Sequence, residues 1–202
     1  MYMFIFVEWT LSTAEQMINL VNLGVVKKIQ SIELEGHNTT SDKIKHKFSP
    51  DEVVTLSPLL AATNSVSLAA MIFSSSQWQE LANNIGENLG TFRLGTSTVD
   101  GESGDSVAKI CSRANKCYMY NVLFEDIGRF ALSFDKYLDE EKGSRRKLKL
   151  RGMEGFEEET EKNHRQEIRN LAKKRYWLIE DDMEGLITIQ EEWDSFEIDY
   201  FE

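Results

Sequence analysis

Three histidines, two cysteines and several clustered carboxylates are the side chains in this sequence whose types invite a catalytic or metal-binding reading. Cys111 and Cys117 have five residues between them, and nothing nearby supplies the closely spaced second Cys or His pair that a structural zinc site requires. A cysteine nucleophile would need a histidine within reach and a lowered pKa. His37, His46 and His164 could serve only through the fold, because no local signature joins any of them to a cysteine. Buried structural thiols are the simpler expectation. His164, between Asn163 and Arg165, reads as a solvated imidazole.

The carboxylates say little more. Asp51 after Pro50 and the distant Glu140-x-Lys142 are a nominal match to the pieces of a metal-dependent nuclease, but both fall on predicted helices far apart in the chain. Asp181, Asp182 and Glu184 lack a spaced calcium-loop pattern and read as a turn. Phosphate loops of the GxxxxGK[ST] or GxGxxG type, the GxSxG elbow and HExxH are all absent. The expectation is therefore a non-enzymatic protein with no catalytic residue, no cofactor and no metal, with a hydrolase of unrecognised pattern as a further alternative.

Charge is more informative than motifs. From Lys142 to Arg175 there are twelve Lys or Arg against six Glu, whereas Tyr176 to Glu202 holds ten acids and no base. The basic segment offers Arg145, Arg146, Lys147, Lys149 and Arg151, supplemented by Arg165, Arg169, Lys173, Lys174 and Arg175. Such a strip binds phosphates, with Tyr176 and Trp177 available for stacking. The segment 186–202 ends in Glu191, Glu192, Trp193, Asp194, Phe196, Glu197, Asp199, Tyr200 and Phe201, acids interleaved with rings. It suits a basic protein partner, imitating the charge of a nucleic acid.

Two readings follow from that asymmetry. In the first, the protein binds, and by analogy of composition with small acidic inhibitors, immunity proteins and viral accessory factors inhibits, a basic or nucleic-acid-binding macromolecule through its tail. In the second, the basic 142–175 segment binds nucleic acid and the acidic tail competes for it. The net charge of -11 disfavours adhesion of the whole surface to nucleic acid or to an anionic membrane, so no membrane partner is expected. Two cysteines make no disulfide framework and fit a reducing, cytoplasmic setting.

The elements that must position these residues start from Val53 to Gln79, twenty-seven residues without a charge. Thr55, Ser57, Pro58, Thr63, Asn64, Ser65 and Ser67 interrupt the stretch too often for a bilayer span, so it reads as buried core. Phe4 to Val7 reads as a strand, followed by a helix that starts at Ser12 and stops at Gly24. Lys28 to Glu35 alternates as a second strand. Ser49-Pro50-Asp51-Glu52 starts a helix that Pro58 shortens or kinks. Val66 to Phe73 is expected as a strand, and Ser76 as the start of a helix running to about Asn88.

Thr91 to Val99 is rich in β-branched residues, Asp100 to Asp105 is a loop, and Lys116 to Phe124 is a strand. Ile127, Phe130, Ala131, Phe134 and Leu138 form a helical stripe, Lys147 to Arg151 a half-exposed strand, Phe156 to Ile179 a long charged helix, and Leu186 to Phe201 one or two terminal strands. No repeat of fixed period and no regular βαβ spacing is visible. The whole chain, 1–202, is thus expected to form one α+β domain with a mixed or antiparallel sheet and several packed helices.

Overall fold

The computed structural model describes residues 11–25, 27–37, 47–86, 89–140, 147–151, 166, 170, 178–181 and 186–190. A helix, α1 (Leu11–Asn22), leads into β1 (Ile29–Glu35), and two short helices, α2 (Pro50–Thr55) and α3 (Ser57–Ala61), lead to β2 (Thr63–Ala69). Then follow α4 (Ser75–Asn84), β3 (Leu89–Val99), α5 (Gly104–Arg113), β4 (Ala114–Phe124), α6 (Ile127–Glu140) and β5 (Lys147–Arg151). The strands β6 (Leu178–Asp181) and β7 (Leu186–Gln190) come last.

The strands form one sheet in the order β1-β2-β3-β4-β5-β7-β6. Each step from β1 to β5 is parallel, whereas β7 joins β5 and β6 antiparallel. The expected α+β architecture is overturned: strand and helix alternate and the sheet's body is parallel, which is an α/β fold. The misreading traces to α5. The sequence 104–113 follows the glycine-rich Asp100 to Gly104 stretch and carries its apolar residues in a short run, Val107, Ala108, Ile110 and Cys111, all buried. Without that helix, the segments now seen as β3 and β4 look like hairpin neighbours; with it, they are a parallel pair joined by a crossover.

Strand order that advances steadily in one direction, combined with right-handed crossovers, sets the connecting helices on one face. The packing agrees: α4 lies against α2, α3 and α5, and α5 lies against α6. Beneath the helices, alternate strand residues are dry. Ile32, Val66, Phe92 and Cys117 form one buried row, and Leu34, Leu68, Leu94 and Met119 the next. Most of the buried apolar residues of 53–79 belong to this layer, as the uncharged stretch implies, with Val53, Leu59, Leu60 and Trp78 wholly enclosed.

A repeat invisible in the sequence emerges from the register. Ser65, Thr91 and Lys116 are successive partners across β2, β3 and β4, so two adjacent units span 26 and 25 residues. Ala70 and Thr96, at corresponding places just past this register, both have positive φ, 55° and 48°. Each unit buries its helix-facing side only by stacking on its neighbours, the logic of solenoid assemblies.

Local sequence accounts for the helix starts. Ser49 and Glu52 form a capping box at α2, with the Ser49 N–H donating to Glu52 Oε2 at 2.7 Å. The corresponding box at α4 uses Ser74 and Gln77, not Ser76, so α4 begins earlier than expected, and it ends at Asn84 rather than near Asn88. Gln77 Nε2 also donates to Asp51 Oδ1 at 2.6 Å, tying the first turns of α2 and α4 together. The expected long helix does not extend to Ile179, because Leu178–Asp181 is β6. Among the described residues no helix is long and apolar enough to cross a membrane. The expected strand at 4–7 lies outside the described residues.

Candidate functional site

The face of the sheet opposite the helices carries the other half of each strand's alternation. Its rows read Ser31, Ser65, Thr91, Lys116, Lys147; then Glu33, Ser67, Arg93, Tyr118, Lys149; then Glu35, Ala69, Gly95, Tyr120, Arg151. Where the side chains are described these positions are exposed or half-buried, apart from Gly95. The face is polarised across the strands. Acids stand on β1, small residues on β2, and every charged position from β3 to β5 is a cation: Arg93, Lys116, Lys147, Lys149 and Arg151. With strands about 4.8 Å apart and alternate residues about 6.7 Å apart, these nine β3–β5 positions cover roughly 10 Å by 13 Å.

Two tyrosines stand in the middle of these cations. The Arg93 guanidinium lies 5.6 Å from the centre of the Tyr118 ring, within cation-π range. Its Nη1 is 3.9 Å from Glu33 Oε1, with the two side chains 47% and 67% exposed, so solvent leaves that pair weak and Arg93 available. Tyr120 is held against the sheet because its neighbour is Gly95: a Cβ there would overlap the phenol ring. Burial raises the Tyr120 pKa above its ordinary value; Arg93 opposes the shift, and Glu33 and Glu35 add to it. The phenol is therefore neutral at physiological pH, able to stack or to donate a hydrogen bond.

The sequence-derived candidates distribute unevenly over this geometry. Lys147, Lys149 and Arg151 lie on β5, in register with Lys116, Tyr118 and Tyr120. Arg145, Arg146, Arg165, Arg169, Lys173, Lys174 and Arg175 lie outside the described residues, as does the acidic tail with Glu191, Glu192, Trp193, Asp194, Phe196, Glu197, Asp199, Tyr200 and Phe201. Arg93, Lys116, Tyr118 and Tyr120 were not singled out by sequence. The signal existed in the alternation Lys116-x-Tyr118-x-Tyr120 followed by Lys147-x-Lys149-x-Arg151, but only parallel pairing makes the two runs neighbours.

Among the described residues, those considered for catalysis do not assemble. Cys111 and Cys117 are buried beside each other, whereas His37 is exposed just past the end of β1. His46 and His164 lie outside the described residues. Asp51, on α2, accepts from Gln77, while Glu140 ends α6, with α4 and α5 packed in between. Asp181 pairs with Ile187 in the β6–β7 ladder, and Asp182 and Glu184 lie outside the described residues. Among the described residues no group of three or more His, Cys, Asp or Glu side chains is placed to hold a metal ion. No family model matches the chain, and no curated protein matches it.

Proposed function

We propose that this is a binding protein whose open sheet face, from β3 to β5, takes a single-stranded nucleic acid. The observation that supports it is the register that places Arg93, Lys116, Lys147, Lys149 and Arg151 on the same face as Tyr118 and Tyr120, with no acid at the nine β3–β5 positions, in a chain whose net charge is -11. Cations neutralise phosphates and release counterions, and rings on a flat sheet accept unstacked bases without regard to their identity. A duplex offers no free base faces to Tyr118 and Tyr120, so a single strand is the better fit. The acidic residues of 191–202 then act as an internal competitor for the same cations.

The test is fluorescence anisotropy of labelled single-stranded RNA and DNA with the full chain, at low and at moderate salt. Salt-sensitive binding that is lost in a Lys116→Glu/Arg93→Glu variant supports the reading, and removal of 191–202 is expected to strengthen it. Absence of binding by both the intact and the shortened chain at low salt overturns it.

A second reading rests on composition: the ten acids and six rings of 176–202 with no base, set against a basic protein. It makes the opposite forecast for the shortened chain. Removing 191–202 then abolishes capture of a basic partner and leaves oligonucleotide binding undetectable.

A further inference from the structure

Beneath the open face, on the helix side of β4, Cys117 meets Cys111 from the last turn of α5 with the two Sγ atoms 2.9 Å apart. Both thiols are free and each is about 1% exposed. A disulfide holds its sulfurs at about 2.05 Å, so closing the bond requires an approach of about 0.9 Å. The six-residue separation in sequence explains the closeness: α5 ends at Arg113, the chain turns at Ala114 into β4, and the last helical turn faces the dry side of that strand.

We infer that Cys111 and Cys117 are a disulfide-forming pair, a modification site that covalently joins α5 to β4 when a low-molecular-weight disulfide such as glutathione disulfide is the oxidant. One thiol loses its proton to solvent and its thiolate attacks a glutathione sulfur, forming a mixed disulfide and releasing one glutathione thiolate. The second cysteine, deprotonated in turn, attacks the protein sulfur of that mixed disulfide and expels the second glutathione. Two protein thiols are oxidised, one glutathione disulfide is reduced to two glutathiones, and the two thiol protons balance them.

The adjacent sulfur makes the second step intramolecular, so the mixed disulfide is short-lived. Access controls the first step. Burial raises the Cys111 pKa well above its ordinary value, and the neighbouring Cys117 adds to the shift, so the pair stays reduced while α5 lies on the sheet. Oxidation therefore follows transient separation of α5 from β4.

The full chain, incubated with glutathione disulfide, quenched with iodoacetamide and weighed by mass spectrometry, provides the test. The expected product is lighter by two hydrogens, takes up no iodoacetamide, reverts with dithiothreitol, and forms several-fold faster in urea below the unfolding transition. Cys111→Ser and Cys117→Ser chains should each carry glutathione on the remaining cysteine instead. Accumulation of glutathione adducts on the unsubstituted chain, or persistence of both thiols throughout the same urea series, would overturn the inference. The readout does not involve oligonucleotide binding and stands apart from the proposed function.

Discussion

The ring of Tyr120 in β4 occupies the space that a side chain at Gly95 in β3 would need. Gly95→Ala should therefore swing the half-buried ring off the sheet, at a cost of about 1 kcal/mol, since only the far end of one side chain has to move. Urea denaturation measures the loss. A Gly95→Ala/Tyr120→Ala pair should recover part of it, giving a coupling energy of about 0.5 kcal/mol or more in a double-mutant cycle. Additive losses would mean that the two residues do not meet.

Tyr120 also predicts a pH dependence. Its pKa is raised in the folded chain, chiefly by burial, so between the unfolded and folded values the folded state holds a proton that the unfolded state has released. Stability from this group is complete below the ordinary phenol value of about 10 and declines as pH rises through the folded value. Urea midpoints of the native chain should fall more steeply above that pH than those of Tyr120→Phe, whereas the two should run parallel at neutral pH.

Phosphate and base contacts separate by their response to salt. If about four cations each neutralise a phosphate of a single strand, the logarithm of affinity should fall against the logarithm of salt with a slope of about -3. Lys116→Ala should reduce the steepness by about 0.7 while weakening all sequences alike. Tyr118→Ala should leave the slope unchanged and cost roughly 5- to 150-fold in affinity, the worth of one stacked base. Anisotropy titrations at three salt concentrations distinguish the two classes.

Helix α4 offers a check on local structure. Ser74 is its N-cap, so Ser74→Ala should lower stability by about 1 kcal/mol, while Ser76→Ala, two residues further along, should change it by less than about half as much. The sequence reading, which starts the helix at Ser76, forecasts the reverse order.

Much of the element pattern was legible because it is written in short-range chemistry. Ser49-Pro50-Asp51-Glu52 declares a helix start through donors and acceptors within four residues, and the alternation of Lys28 to Glu35 declares a strand with one wet face. The parallel architecture was not legible, since it depends on recognising 104–113 as a crossover helix, and that segment begins at a glycine inside a turn-forming stretch. For the same reason the basic run on β5 was visible, but its convergence with Arg93, Lys116 and two tyrosines was not. Register is a long-range property, and these residues come from three strands spread over almost sixty positions.

The one-way winding of the strands has a kinetic corollary. A unit in the middle of such a stack is clamped from two sides, and a unit at the rim from one, so opening should begin at the rims and advance inward. Among the described strands, amide protons of β3 and β4 should exchange with deuterium last, and those of β1 among the first. The strands bearing Arg93, Lys116, Tyr118 and Tyr120 would then keep their shape while the periphery breathes, giving a rigid platform in a molecule whose margins remain free to adjust.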